Sequence, residues 1–208
     1  MKAVVLLSGG MDSVTLFYHL LDKGYDLAVI SFDYGSKHNA KEIEMARYHT
    51  DQNSVSHVVI ELPFINDLFK SDLLRSGGVI PEGHYEDEMM KSTVVPFRNG
   101  IMLSIAVGYA ESIDADMLAI ASHAGDHAIY PDCRPEFNEV FGYAMRIGTY
   151  REVQLYAPFQ NMTKREVAVL GKKLGVDYSK TWSCYKGEDK PCGKCGTCVE
   201  RMEALAGL

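Results

Sequence analysis

Several things that the 208-residue chain lacks narrow its possibilities before any motif is read. Long apolar runs are missing: the longest, Ala3–Leu7 and Met117–Ala121, fall far short of the ~18 residues a membrane-spanning helix needs. The residues after Met1 run straight into a strand pattern without a cleavage site, so a soluble cytoplasmic protein is expected. Basic residues are outnumbered, 21 Lys plus Arg against 28 Asp plus Glu for a net charge of −7. A surface that grips nucleic acid usually carries a basic excess, so nucleic acid is not an expected partner. Internal repeats and low-complexity segments are also absent. With 47% hydrophobic and 24% charged residues, neither a disordered nor a fibrous chain fits. Cysteine is scarce everywhere but one place: of five, Cys133 stands alone, while Cys184, Cys192, Cys195 and Cys198 crowd near the C-terminus.

What is present reads as alternating strands and helices. Ala3–Leu7 is a continuous apolar run, the pattern of a parallel strand buried on both faces. Val14, Phe17, Leu20 and Leu21 follow at helical spacing up to Gly24, placed as a C-terminal cap. Further strands are expected at Leu27–Phe32, His57–Leu62 and Met117–Ala121, with helices over about His38–Gln52, Asn99–Ser112, Lys164–Leu174 and Cys198–Leu205. This alternation predicts an α/β fold, a doubly wound parallel sheet with helices on both faces. This α/β unit would occupy about residues 1–180, and 181–208 would be a C-terminal cysteine segment packed on it. Phe64–Val95, with Gly77-Gly78, Pro81, Gly83 and the acidic run Glu86-Asp87-Glu88, has the weakest periodicity and is expected to be an excursion or mobile loop.

Ser8-Gly9-Gly10-Met11-Asp12-Ser13 sits where the first strand hands over to a helix. Two glycines allow a sharp turn and close approach to a ligand, and the helix start offers free N–H groups and the positive end of its dipole, a nest suited to phosphate. Neither the Walker pattern nor G-x-G-x-x-G is matched; a plain turn with Asp12 or Ser13 as helix cap is the alternative. The hexapeptide resembles the pyrophosphate loop of the ATP pyrophosphatase family, whose members split ATP between the α and β phosphates to adenylylate a substrate. The resemblance implies that Ser8, Gly9, Gly10, Met11 and Ser13 hold the departing pyrophosphate. Asp12, an anion beside phosphates, would cap the helix or help hold Mg²⁺.

Cys184-x7-Cys192-x2-Cys195-x2-Cys198 lies in a loop that also holds Gly187, Pro191, Gly193 and Gly196. In a reducing compartment disulfides rarely persist, so the spacing points to one tetrahedral Zn²⁺ on four thiolates. With no open coordination position such an ion is structural, and Lys186, Lys190, Lys194 and Arg201 would offset its negative charge. An iron–sulfur cluster, a redox pair or a nucleic-acid-reading zinc ribbon are the alternatives.

Two polar segments remain. Phe97-Arg98-Asn99 opens a long helix, where Arg98 can reach an anion or stand in solvent. Ser122 to Arg134 gathers His123, Asp126, His127, Tyr130, Asp132, Cys133 and Arg134 beyond the carboxyl end of a buried strand, the place where doubly wound sheets bind ligands. His123, Asp126 and His127 form too weak a pattern for a second metal, and Cys133 has no assignable base to make it a nucleophile.

Taken together, the glycine loop, Phe32-Asp33-Tyr34-Gly35 with His38, Val95-Pro96-Phe97-Arg98-Asn99, Tyr130-Pro131-Asp132-Cys133-Arg134 and the cysteine quartet after Thr181-Trp182-Ser183 resemble the 7-cyano-7-deazaguanine synthase family. That family makes the nitrile precursor of queuosine and archaeosine. The resemblance, spread from Ser8 to Cys198, implies an ATP-dependent carbon–nitrogen ligase. Such an enzyme adenylylates 7-carboxy-7-deazaguanine, lets ammonia form the amide, then adenylylates the amide so that AMP leaves as the nitrile forms. It further implies ATP with Mg²⁺, one structural Zn²⁺, a homodimer, and Lys37, His38, Arg98 and Arg134 as partners for anionic groups. Asp132 or Tyr130 would bond the deazaguanine edge, with Phe97, His123, Asp126 and His127 near the substrate. Met11 and Phe97 depart from the Gln and Gly usual in the family, and the histidine loop departs from its usual stretch. A sibling delivering the activated carboxylate to another amine, including one on a protein, therefore stays open. So do a tRNA thiolase or NAD synthetase on the same fold, and a non-enzymatic zinc-binding adaptor.

Overall fold

The apolar runs pair side by side. In a computed structural model describing residues 1–84 and 88–208, β1 (Lys2–Leu6), β2 (Asp26–Asp33), β3 (Ser56–Glu61), β4 (Met117–Ala119) and β5 (Gln154–Tyr156) form one sheet in the order β3-β2-β1-β4-β5. Every pairing is parallel. β1 lies at the centre with Val4 and Val5 fully buried on opposite faces, as the two-residue period of a strand requires. Val4, Ile30 and Leu118 share one core with Leu103 and Ala106 from α4 (Arg98–Ser112). Val5, Val29 and Ala119 share the other with Leu16 and Phe17 from α1 (Met11–Asp22) and Val167 from α6 (Lys164–Lys173). The doubly wound α/β expectation is met.

Element ends differ from the sequence expectation by a residue or two. β4 stops at Ala119, although Ile120 N–H still donates to the Tyr156 carbonyl at 3.0 Å. Gly24 takes φ +75° behind α1, the left-handed cap its position suggested. Between these elements run α2 (Asn39–Gln52), α3 (Pro63–Leu68), α5 (Pro135–Gly148) and α7 (Gly196–Leu205). α3, α5 and β5 were not expected.

The described part of the excursion is fastened rather than loose. Leu73, Leu74, Ile80 and Met90 are buried, and the Lys37 ammonium donates to the carbonyls of Asp72, Leu74 and Gly78. Glu82 bridges to Cys195 and Gly83 N–H donates to the Lys194 carbonyl, so the excursion leans on the cysteine segment. Glu86 and Asp87 of the acidic run lie outside the described residues. No helix among the described residues is long and apolar enough to cross a membrane.

Chain order sets the site. The strands run outward from β1 to β3, and the chain then crosses back to lay β4 on the other side of β1. The crevice beyond the carboxyl ends of β1 and β4 is thus a topological switch point, the ligand position of such sheets.

Candidate active site

A cavity of about 230 Å³ occupies that crevice, bounded below by Leu7, Phe32 and Ala121 at the strand ends. One side is the glycine loop. Gly9 adopts φ +96°, and a Cβ there would lie 2.0 Å from the Glu42 carbonyl oxygen, so only glycine fits. Gly10 opens α1 without any side-chain cap, leaving the first N–H groups of the helix available to an anion. The loop meanwhile satisfies itself: Gly10 N–H donates to Ser8 Oγ at 3.1 Å, Ser13 Oγ donates to the Gly10 carbonyl at 3.1 Å, and the two hydroxyls lie 3.0 Å apart.

Behind the loop is a buried charge cluster. The Lys164 ammonium lies 2.7 Å from Glu200 and 3.2 Å from Asp12. His123 Nδ1 accepts from Gly125 N–H at 3.1 Å, which leaves the proton on Nε2, 3.7 Å from Asp12 and 3.6 Å from Asp126. Burial alone would raise the Asp12 carboxyl, but Lys164 and then His123 outweigh it and hold Asp12 below the usual carboxylate range. Burial works against the Lys164 charge too, yet Asp12 and Glu200 raise that group above its ordinary value. Asp12 Oδ1 is buried without a partner.

The opposite side is aromatic. The Arg98 guanidinium sits 5.6 Å from the Tyr34 ring centre and 5.8 Å from that of Tyr130, within cation–π range, and donates to Tyr34 Oη at 3.3 Å. Tyr130 Oη and Tyr185 Oη are 3.0 Å apart, and the Tyr185 ring leans on His38 at 5.2 Å. Burial pushes His38 down to about 3 and Glu42 up to about 8.

Trp182, Ser183, Tyr185 and Thr197 complete the lining from the cysteine segment. Trp182 N–H donates to the Gly9 carbonyl at 3.0 Å, tying that segment to the glycine loop. The four thiols form no disulfide, and all their sulfurs lie within 4.8 Å of one another. Thiolates around a zinc ion at ~2.3 Å stand ~3.8 Å apart, so a small contraction would close the quartet on an ion. The N–H groups of Lys194 and Cys195 donate to Cys192 Sγ, and that of Cys192 to Cys184 Sγ.

The structure thus brings Ser8, Gly10, Met11, Asp12, Ser13, Arg98, Asp126 and Tyr130 to one cavity, with Gly9 and His123 directly behind. Most of the other residues singled out in the sequence are engaged elsewhere. Lys37 is spent on the excursion. Asp132 Oδ2 accepts the Asn99 N–H at 2.8 Å and so caps α4. Arg134 donates to the His127 carbonyl. Phe97, more than half exposed, packs edge-on to Phe137. His127 Nε2 is buried without a partner and outside the lining. Cys133 lines the cavity, receives a hydrogen bond from Asn99 at 3.0 Å, and is kept a thiol by burial. Lys164, Glu200, Glu42 and Tyr185 were missed. The Thr163-x-x-Glu166 capping box was a readable signal for the helix that presents Lys164; for the other three the sequence carries none.

The chain matches the family model described as Queuosine biosynthesis protein QueC over residues 2–208. It is similar to the 7-cyano-7-deazaguanine synthase of Desulfotalea psychrophila, 53% identical over 98% of this chain and 93% of the relative. The protein of the same name from Porphyromonas gingivalis is 55% identical over 98% of this chain and 91% of the relative. Among solved structures, a U34-tRNA thiolase from Methanococcus maripaludis, with its 4Fe–4S cluster, superposes at a TM-score of 0.55 with 17% identity, covering 89% of this chain and 62% of the thiolase. At that identity the likeness is one of fold.

Proposed function

The chain belongs to the QueC family of queuosine biosynthesis proteins, and from that premise we propose that it is an ATP-dependent carbon–nitrogen ligase converting 7-carboxy-7-deazaguanine and ammonia to 7-cyano-7-deazaguanine. The observation that carries this reading is the agreement, over nearly the whole chain, with synthases of that name at 53% and 55% identity. The cavity supports it with a phosphate nest on one side and a buried guanidinium on the other.

In the first half-reaction the substrate carboxylate attacks the α-phosphorus of ATP. The α–β bond breaks, pyrophosphate leaves and an acyl adenylate forms. Ammonia then displaces AMP, losing a proton, to give the amide. In the second half-reaction the amide oxygen attacks the α-phosphorus of another ATP, pyrophosphate and one N–H proton leave, and loss of AMP with the second N–H proton gives the nitrile. Poor nucleophiles need positioning more than acid–base help. The uncapped start of α1, the Ser8 and Ser13 hydroxyls and Lys164 would take the pyrophosphate charge as it develops. Arg98, held between two rings, would orient the substrate carboxylate. Asp12, with one buried oxygen unpartnered, is the residue to hold Mg²⁺, which neutralises phosphate charge when bound. Substrate and nucleotide filling the crevice would displace water from around the acyl adenylate. Cys184, Cys192, Cys195 and Cys198 would hold Zn²⁺, whose four thiolates leave no open position for substrate. Lys37, Asp132 and Arg134, outside the lining, would support the segments around it through the excursion carbonyls, the Asn99 N–H and the His127 carbonyl. A cytoplasmic homodimer completes the proposal, with its mass in solution as the check.

The test is incubation of the purified protein with ATP, Mg²⁺, ammonium and 7-carboxy-7-deazaguanine. Mass spectrometry is expected to find the nitrile, with AMP released twice per product. An amide that never dehydrates, or deazaguanine bound to a protein, would move the assignment to an enzyme serving another amine.

A further inference from the structure

Three carboxylates line the cavity: Asp12, Glu42 and Asp126. Two already have donors. Asp12 lies 3.2 Å from the Lys164 ammonium, and Asp126 accepts the His123 backbone N–H at 3.2 Å. Glu42 differs. Its side chain is 15% exposed and beside Gly10; the Arg98 guanidinium acts on it only through space, and among the described residues its nearest ring partner is His38 Nε2 at 3.4 Å, longer than an ordinary hydrogen bond. His38 is itself held neutral by burial. A buried carboxyl short of donors is destabilised until a ligand provides them.

The ring proposed as substrate provides such donors. On the edge bearing its 2-amino group, a 7-deazaguanine presents the ring N1–H and an amino N–H side by side, a pair that two oxygens of one carboxylate can accept together. Held neutral by burial, Glu42 would give up its proton to accept both donors, an exchange that adenine, with a bare acceptor nitrogen at the corresponding ring position, does not reward. The residues around Glu42 suit a planar ring carrying a negative group: Tyr34 and Tyr185 line the same cavity with Arg98 between Tyr34 and Tyr130. The two edge candidates read from the sequence are engaged, Asp132 with Asn99 N–H and Tyr130 with Tyr185.

We infer that Glu42 is the specificity-determining residue for the deazaguanine ring, its two carboxylate oxygens accepting the N1–H and 2-amino donors. The inference rests on the function proposed above. The test is steady-state kinetics on the whole chain with 7-carboxy-7-deazaguanine and with its analogue lacking the 2-amino group, varying ATP and Mg²⁺ separately. Glu42→Gln, which replaces one acceptor by a donor, is expected to raise KM for 7-carboxy-7-deazaguanine ~10- to 100-fold. KM for ATP should not change, and most of the preference for substrate over analogue should vanish. Glu42→Asp keeps both acceptors and should keep that preference, which preserves the test if the Gln variant does not fold. A rise in the ATP or Mg²⁺ requirement with the deazaguanine KM unchanged would assign Glu42 to the nucleotide and overturn the inference. So would a Gln variant whose preference equals that of the wild type. A wild-type protein that makes nothing from 7-carboxy-7-deazaguanine would overturn the functional reading instead.

Discussion

On the glycine-loop side of the cavity, charges are matched before any ligand arrives: Lys164 lies between Asp12 and Glu200, and the loop hydroxyls and N–H groups bond one another. On the aromatic side Arg98 stacks on rings and reaches Glu42 only through space, and among the described residues Glu42 has a neutral imidazole at 3.4 Å in place of a hydrogen-bond donor. The first side is a preorganised receptor for phosphate, whose dipoles and ammonium need little rearrangement. The second is under-paired, storing unfavourable burial that a ligand with one anionic end and one donor edge would relieve. The difference teaches that readiness to bind takes two forms: donors already aimed, and acceptors still unanswered.

Both sides share a roof, the cysteine segment, so the largest expected effect comes from removing what holds it. Chelation of the metal, or Cys192→Ala, should lower the melting temperature by about 10 °C or more and impair both sides together. Calorimetry alongside elemental analysis, expected to find about one zinc per chain, checks this, and a metal-free protein melting unchanged would sever the roof from the walls. Next is the matched side. Lys164→Met leaves Asp12 and Glu200 buried without their cation and should cost about 3–5 kcal/mol in urea unfolding; adding Asp12→Asn should recover part of that loss. A single variant as stable as wild type would show that Lys164 does not hold the two carboxylates in place.

Arg98→Lys probes the aromatic side. A compact ammonium cannot span two ring faces as a planar guanidinium does, so kcat/KM for the deazaguanine should fall ~10²-fold, with urea stability nearly unchanged. The smallest effect is a pH dependence. Below pH 6.5 the unfolded chain protonates His38 while the folded one resists until about 3, so His38 removes stability as pH falls. Above pH 4.5 the unfolded chain ionises Glu42 while the folded one resists until about 8, so Glu42 removes stability as pH rises. The opposed slopes, each about 1.4 kcal/mol per pH unit, cancel between pH 4.5 and 6.5. What remains on the neutral side is a decline of about 1–2 kcal/mol from pH 6.5 to 8, which Glu42→Gln should abolish. A flat profile in the wild type would show that Glu42 is paired after all.

Legibility in the sequence followed the range of the physics. β1, β2 and α1 were readable because a fully buried strand is a continuous apolar run and an amphipathic helix repeats at 3.6 residues. β5 was not, because three residues, Gln154–Tyr156, carry no period. α5 was legible and was missed: Phe137, Phe141 and Met145 recur at i, i+4 and i+8, the spacing of an inner helical row. Lys37 and Arg134 were read as anion partners from their neighbourhood in the motifs, but a long side chain in a loop can turn either way. Here the carbonyls of Asp72, Leu74, Gly78 and His127 take them.

The sequence by itself determined the α/β class, the phosphate-type glycine loop and the cysteine quartet, because each is written in local spacing: period, turn chemistry and ligand interval. Only the tertiary structure decided that Lys164 and Glu200 stand behind Asp12, that Trp182 bonds Gly9, and that Glu42 faces the cavity unanswered. Those are relations between segments far apart in the chain. They follow from how the sheet is wound and which helix packs where, and no local pattern encodes the direction in which a distant side chain will point.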